Sequence, residues 1–196
     1  ASWSIAIADV DNNGYAGIFT GGAYDGLVMM VAADDGSGFT NTSIDGPGTF
    51  VQCSSFADID NDGNLDLFVC HDDGKSRPFR NMGEGALEWT TTDFIDPAST
   101  MPSDDSGNYG NVWTDYDGDG DADLYIAKCR QGVNNPEDGR RLNLLFDNDG
   151  GNFTDVAESV GLRPGGQSWA ADFADIDNDG DMDAFLLNHE YAQFDI

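Results

Sequence analysis

The stretch DYDGDGDADL, from Asp115 to Leu124, places five aspartates two residues apart with no lysine or arginine among them. An apolar run, LYIA, follows at once. The pattern recurs as DIDNDGNLDL from Asp58, DIDNDGDMDA from Asp175 and, more weakly, DVDNNGYAGI from Asp9. Starts at 9, 58, 115 and 175 give spacings of 49, 57 and 60 residues, which is an internal repeat.

Each copy lies between two short runs. WSIAIA, VQCSSFA, YGNVWT and WAADFA precede the loops, and GIFTG, LFVCH, LYIAK and AFLLN follow them. The residue two before the first aspartate is always large and apolar: Ile7, Phe56, Trp113 or Phe173. Short runs rich in β-branched and aromatic residues read as strands, so each loop joins a strand pair. Three units carry a second pair of runs around a Gly-rich turn, in GLVMMVAADDGSGFTNTSI, RPFRNMGEGALEWTTTDFI and NLLFDNDGGNFTDVAESVGL. Such turns signal hairpins. Two hairpins per unit of about 50–60 residues match a four-stranded propeller blade. The units fall at approximately 1–48, 49–105, 106–165 and 166–196, the last incomplete.

The spacing within the loop points to a hard cation. Asp115, Asp117, Asp119 and Asp123 occupy positions one, three, five and nine. Gly120 at position six lets the backbone bend, and the carbonyl of Asp121 at position seven is a natural further ligand. An oxygen-only cage suits calcium, which accepts more ligands and looser geometry than magnesium, and does not suit zinc or copper. Two carboxylates about 5 Å apart repel by roughly 3 kcal/mol at an effective dielectric of 20, and nothing within the loop offsets this. The plain alternative is a hydrogen-bonded Asx turn, which a single copy would satisfy but three near-complete copies argue against. An EF-hand fails, because its position twelve needs a glutamate and a following helix, whereas Val69, Ile126 and Leu186 stand there inside strand runs.

The pattern D-x-D-x-D-G-x-x-D-L between two strands resembles the FG-GAP/VCBS repeat, which builds the β-propellers of integrin α-chains and many secreted proteins. LNLLFDNDGGNFTDVAESVGL also resembles the linking motif of the ASPIC/UnbV and cartilage-acidic-protein group. The resemblance implies an all-β propeller, or a fragment of one, with about 3.5–4 blades and calcium in the inter-strand loops. It implies three strong sites, at Asp58, Asp60, Asp62, Asn64 and Asp66; at Asp115, Asp117, Asp119, Asp121 and Asp123; and at Asp175, Asp177, Asp179, Asp181 and Asp183. The first copy keeps Asp9, Asp11, Asn13 and the carbonyl of Tyr15 but has Gly17 at position nine, so a weaker or empty site is expected there. Family propellers usually have seven or more blades. The chain therefore reads as a segment of a longer propeller, as a four-bladed ring with one blade incomplete, or as a ring completed by a neighbouring subunit. It opens without Met or a signal peptide, which also suggests a processed or excised chain.

Charge narrows the partners. With 37 acidic against 8 basic residues the net charge is −29, which disfavours nucleic acid and anionic membranes. No apolar run is long enough to span a membrane as a helix. Apolar content of 39% supports a packed core in spite of the acidity. Cys53 and Cys70 flank the second loop and face one another if the hairpin is regular, close enough for a disulfide. Cys70–Cys129 is the rival pairing, and three buried thiols are the third possibility. Asn41 in NTS and Asn152 in NFT match the glycosylation pattern in expected outer-strand turns. With calcium, these features suggest an extracellular or secreted protein. His71 and His189 read as exposed loop residues, and no catalytic motif is present, so an enzyme is not expected. Trp3, Trp113 and Trp169 read as core, and Trp89 as a candidate contact surface. The leading expectation is a calcium-binding module for adhesion or for a protein or glycan ligand. The alternatives are a self-associating subunit of an extracellular filament or coat and an accessory domain of a polysaccharide-acting enzyme.

Overall fold

Every acidic loop reverses the chain, and the runs on either side of it pair. A computed structural model describes residues 2–90 and 106–188. The first sheet holds β1 (Ser2–Ala8), β2 (Gly17–Gly22), β3 (Leu27–Ala32) and β4 (Phe39–Ile44). The second holds β5 (Val51–Ala57), β6 (Asp66–His71), β7 (Arg77–Asn81) and β8 (Leu87–Trp89). The third holds β9 (Asn108–Thr114), β10 (Asp123–Lys128), β11 (Leu144–Asp149) and β12 (Asn152–Asp155). The last pair is β13 (Ser168–Ala174) and β14 (Asp183–Asn188). Each sheet is an antiparallel meander in chain order. These are blades of a β-propeller, and the described sheets form an open array rather than a closed ring. The segment TTDFI, expected to extend the second outer hairpin, lies outside the described residues.

The first strands of the blades lie side by side, β1 against β5, β5 against β9 and β9 against β13. Hydrogen bonds link them: Ser4 Oγ and Ser54 Oγ are 2.6 Å apart, and Cys53 Sγ is 3.1 Å from Asn111 Oδ1. All four first-to-second strand pairs share one register. The residue before the loop pairs with loop position nine: Ala8 with Gly17, Ala57 with Asp66, Thr114 with Asp123 and Ala174 with Asp183.

The second strands of the middle blades are buried on both faces. Leu67 and Val69 pack towards the first blade with Phe19, Met29 and Phe79. Phe68 and Cys70 pack towards the third with Leu124, Ile126, Leu144 and Phe146. Tyr125 and Ala127 face the last blade. Burial from both sides explains why LFVC and LYIA are continuous apolar runs rather than alternating ones. The end blades have one partner each. Ile5 and Ile7 of β1 and Phe185 of β14 are more than 60% exposed, because no described blade covers those faces.

Two tryptophans expected in the core are at the surface, Trp3 at 54% and Trp169 at 43% exposed. The cause is a register shift. Near the start of each first strand one residue is skipped in the pairing, and the skipped residues are Trp3, Gln52, Tyr109 and Trp169. A bulged residue is turned away from the pleat, so its apolarity does not predict burial. Trp113, which is not bulged, is half-buried and packs edge-on against Phe68 and Phe153.

Close approach of the inner strands yields a test. A Cβ on Gly110 would meet the carbonyl oxygen of Trp169 at 2.7 Å, whereas one on Gly38 would meet open space. Gly110→Ala is expected to destabilise the fold by about 1–3 kcal/mol and lower its melting temperature, with Gly38→Ala unchanged. Equal melting of both variants would show that β9 and β13 do not pack as described.

Candidate metal centres

The loops are built from their own carboxylates. Position one accepts two backbone N–H groups. Asp9 takes those of Asn13 and Gly14 at 3.1 and 2.8 Å, and Asp58 those of Asp62 and Gly63 at 3.0 and 2.9 Å. Asp115 and Asp175 do the same with Gly118 and Gly120, and with Asp179 and Gly180. The side chain at position five then accepts the N–H of position seven, from Asn13 to Tyr15 through Asp179 to Asp181. Asx turns are thus present in every loop. They leave room for a cation, because a carboxylate has about four acceptor sites. Two residues per loop adopt positive φ: position six is always Gly, and position four is Asn12, Asn61, Gly118 or Asn178. The role of position four was readable from its residue types, since asparagine tolerates the left-handed region.

Position nine has a second role that sequence reasoning missed. Asp66 accepts the N–H groups of Ile59 (3.1 Å) and of Asn81 on β7 (2.8 Å). Asp123 accepts those of Tyr116 (2.9 Å) and of Asn148 on β11 (2.8 Å). Each carboxylate ties the loop to the third strand. The amides of Asn81 and Asn148 return the bond, donating to the carbonyls of Leu65 and Ala122. The signal for these partners was a third-strand Asn followed closely by Gly, in NMG and NDGG. Burial pushes both Asp66 and Asp123 up to about 6, against the pull of the N–H donors.

Three carboxylate groups converge, each with ligand atoms within 4.8 Å of one another: Asp58, Asp60 and Asp62; Asp115, Asp117 and Asp123; Asp175, Asp177 and Asp183. Asp66, Asp119 and Asp179 lie outside these sets of three. The side chain of Asp121 is engaged elsewhere, accepting from Asn61 of the preceding loop (3.2 Å) and from the backbone of Gly150 (2.9 Å). Such bonds seat neighbouring loops against one another on one face. The donor sets are oxygen-only, and Asp60 Oδ1 is buried without a hydrogen-bond partner. These residues fit a hard cation.

The loops are not equivalent. In the first, an aspartate at position nine has no space, because a Cβ on Gly17 would meet the backbone carbonyl oxygen of Met30 at 2.9 Å, besides Met29 Cε at 2.6 Å. The Asn13 amide donates to Asp11 Oδ2 and to the Ala32 carbonyl, each at 3.1 Å. In the second, Arg80 of β7 reaches Asp60 at 2.6 Å. The loop charge is therefore answered in part by backbone N–H groups within the loop and, across the blade, by the Arg80 guanidinium, where the sequence suggested no offset. The matching residue of the third blade, one after Phe146, is Asp147. Burial, then the charges of Asp117 and Asp119, raise its carboxyl above the usual range.

The remaining candidates lie elsewhere. Cys53 and Cys70 are register partners, as the spacing predicts, and both are free thiols. Cys129 accepts the indole N–H of Trp169 at 3.2 Å. Asn41 is exposed within β4, not in a turn, because β4 is an edge strand with open side chains. Asn152 is exposed at the start of β12. His71 is buried at the end of β6 instead of sitting in an exposed loop, and its Nδ1 accepts the N–H of Phe50 at 3.1 Å. His189 lies outside the described residues. Trp89 is partly exposed beside a cleft of about 580 Å³ lined by Thr42, Ile44 and Leu87.

Residues 58–126 and 115–186 match the FG-GAP-like repeat, together more than half the chain. No curated protein sequence matches it. Among solved structures, an Agrocybe aegerita lectin, described in terms of specific recognition of non-reducing terminal N-acetylglucosamine, is similar at 18% identity and a TM-score of 0.40. The match covers 93% of this chain and 56% of the lectin, so the chain spans little more than half that protein's length.

Asp66 and Asp123 ionise near pH 6 in the fold and near 3.8 when unfolded. The native state therefore holds extra protons between those values, and stability falls as pH rises through 6. His71 acts oppositely, since burial holds its ring below the ordinary 6.5. The two carboxylates outweigh it, and protonation also relieves the repulsion of a highly acidic chain. With divalent cations chelated, the protein is expected to melt a few degrees higher at pH 5 than at pH 7. Asp66→Asn should flatten the slope. A profile rising towards pH 7 would show that both carboxylates stay ionised in the fold.

Proposed function

Because the chain belongs to the FG-GAP-like repeat family, we propose that it is an extracellular β-propeller binding module whose acidic loops are held by calcium. The observation that carries this reading is the convergence of three carboxylates in each of three loops. A calcium ion in such a loop would neutralise the crowded carboxylates and tie the turn to the strands on either side. The holding residues would be Asp58, Asp60 and Asp62; Asp115, Asp117 and Asp123; and Asp175, Asp177 and Asp183, with the carbonyls of Asn64, Asp121 and Asp181. The first loop is the weak one, since the Asn13 amide already answers Asp11 and position nine offers no carboxylate. The exposed sequon residues Asn41 and Asn152 support an extracellular setting, where calcium is plentiful. The module acts by binding, through adhesion or capture of a ligand, and no catalytic step is part of the reading.

The bare end faces support a second reading. Ile5 and Ile7 on β1, and Phe185 and Leu187 on β14, are apolar and exposed. Further blades, from the same polypeptide or a neighbouring copy, would cover them, as in a filament or coat.

At ten times its dissociation constant, each bound ion adds about 1.4 kcal/mol to stability. Three ions should raise the melting temperature by about 10 °C. Melting in millimolar calcium and in EGTA checks this; identical curves would remove the calcium assignment. Calorimetric titration should then resolve non-equivalent sites. Arg80→Ala is expected to tighten the second loop severalfold, because it removes a positive charge from beside Asp60. An unchanged isotherm would place the ion away from Asp60.

A further inference from the structure

We propose that the cleft at the other end of the inner strands, opposite the acidic loops, binds a neutral carbohydrate. This rests on the reading of the chain as a binding module and names both the site and the ligand class. The cleft has a volume of about 530 Å³, within the usual range for small-ligand sites.

Four bulges build it. The residue skipped in each first strand, Trp3, Gln52, Tyr109 or Trp169, lines this cleft. Bulges often re-aim a side chain at a functional site. Here the same device at four equivalent points delivers three aromatic rings and one amide to one cavity. The rings are braced. Tyr109 and Trp169 stack at 6.1 Å with planes 18° apart, and Trp3 sits edge-on to Phe50 at 5.1 Å. The indole N–H of Trp169 is held by Cys129 Sγ. Trp3 and Trp169 nevertheless stay about half exposed.

The polar groups decide the ligand class. Arg130 sits between Asp72 and Asp73, at 3.2 and 2.8 Å. Tyr24 donates to Asp73 at 2.9 Å and, with Arg130, holds that carboxyl below the usual range. Two carboxylates against one guanidinium leave the cleft slightly negative, so sialylated or sulfated ligands are repelled. The guanidinium is already engaged and offers no free charge to an anion. What remains is aromatic faces for apolar C–H groups, beside amides and carboxylates that bond hydroxyls. Sugars present both surfaces on one ring. A protein partner would need about 800 Å² of matched surface on each side, more than a cleft of this size supplies.

The test is a glycan array carrying neutral and sialylated oligosaccharides, probed in calcium with protein shown to be folded by melting. Tryptophan-fluorescence titration with the strongest neutral glycan follows. Binding to neutral glycans is expected, with sialylated forms of the same glycans bound more weakly. Trp169→Ala should weaken binding at least tenfold, and Trp169→Phe should keep it within a few-fold. Trp89→Ala, in the other cleft, should leave it unchanged. If the folded, calcium-loaded protein retains no neutral glycan, or if Trp169→Ala binds like the parent, the proposal falls while the calcium reading stands. If EGTA leaves melting unchanged but Trp169-dependent binding persists, the calcium reading falls and this site stands.

Discussion

The carboxylate at loop position nine is the joint on which each middle blade depends. Asp66 and Asp123 open the second strand, pair with the end of the first, and accept an N–H from the third. Three strands and one loop thus meet at a single side chain. Buried N–H groups need partners, and a carboxylate supplies two acceptor atoms at once. The cost is a negative charge placed where water is excluded, which is why both groups resist ionisation. A cation bound at the crowded mouth of the loop would lower that cost. The first blade takes the other solution: Gly17 removes the charge, and Met29 fills the space.

Packing follows from the same joint. Once the second strand is fixed at its first residue, alternate side chains point to opposite sides. Leu67 and Val69 meet one neighbour, and Phe68 and Cys70 the other. A blade in the middle of the array is therefore buried twice, and an end blade once. Stability of this kind is a sum of neighbour contacts, as in other repeat architectures. The run AFLLN in β14 has the apolar character of LYIA in β10, yet its side chains remain partly open. The difference lies in what surrounds the strand and not in the strand itself.

The acidic loops and the strand pairs around them were readable because both rest on local chemistry. Alternating aspartates with glycine at position six fix a turn, and short apolar runs fix strands. Cys53 opposite Cys70 followed from the same regularity. Three features were not readable, because each depends on a register or a contact between distant residues. The bulges put Trp3 and Trp169 at the surface, although their runs look like core. Arg80 meets Asp60 only because β7 lies beside β6. His71 is buried at the end of β6, where its ring accepts the N–H of Phe50 and the Tyr24 ring packs edge-on against it. An apolar pattern reports how much surface a strand can bury; it does not report which neighbour is present.

The two candidate sites sit at opposite ends of the same inner strands. Each of those strands is seven residues long, or roughly 23 Å at the usual rise. Charge is screened over about 8 Å at physiological ionic strength. A cation in the loops therefore has little direct electrostatic effect on Asp72, Asp73 or Arg130. Coupling between the ends has to pass through the strands. The bulged residues keep their places only while β1, β5, β9 and β13 stay packed side by side, and the loops hold those strands in register. Loss of loop order would loosen the aromatic cleft by letting the inner strands separate, not by changing its charge. On this argument calcium would act on ligand binding through the fraction of molecules whose inner strands are in place. The affinity of each intact cleft would be unaltered, and only the number of competent clefts would change.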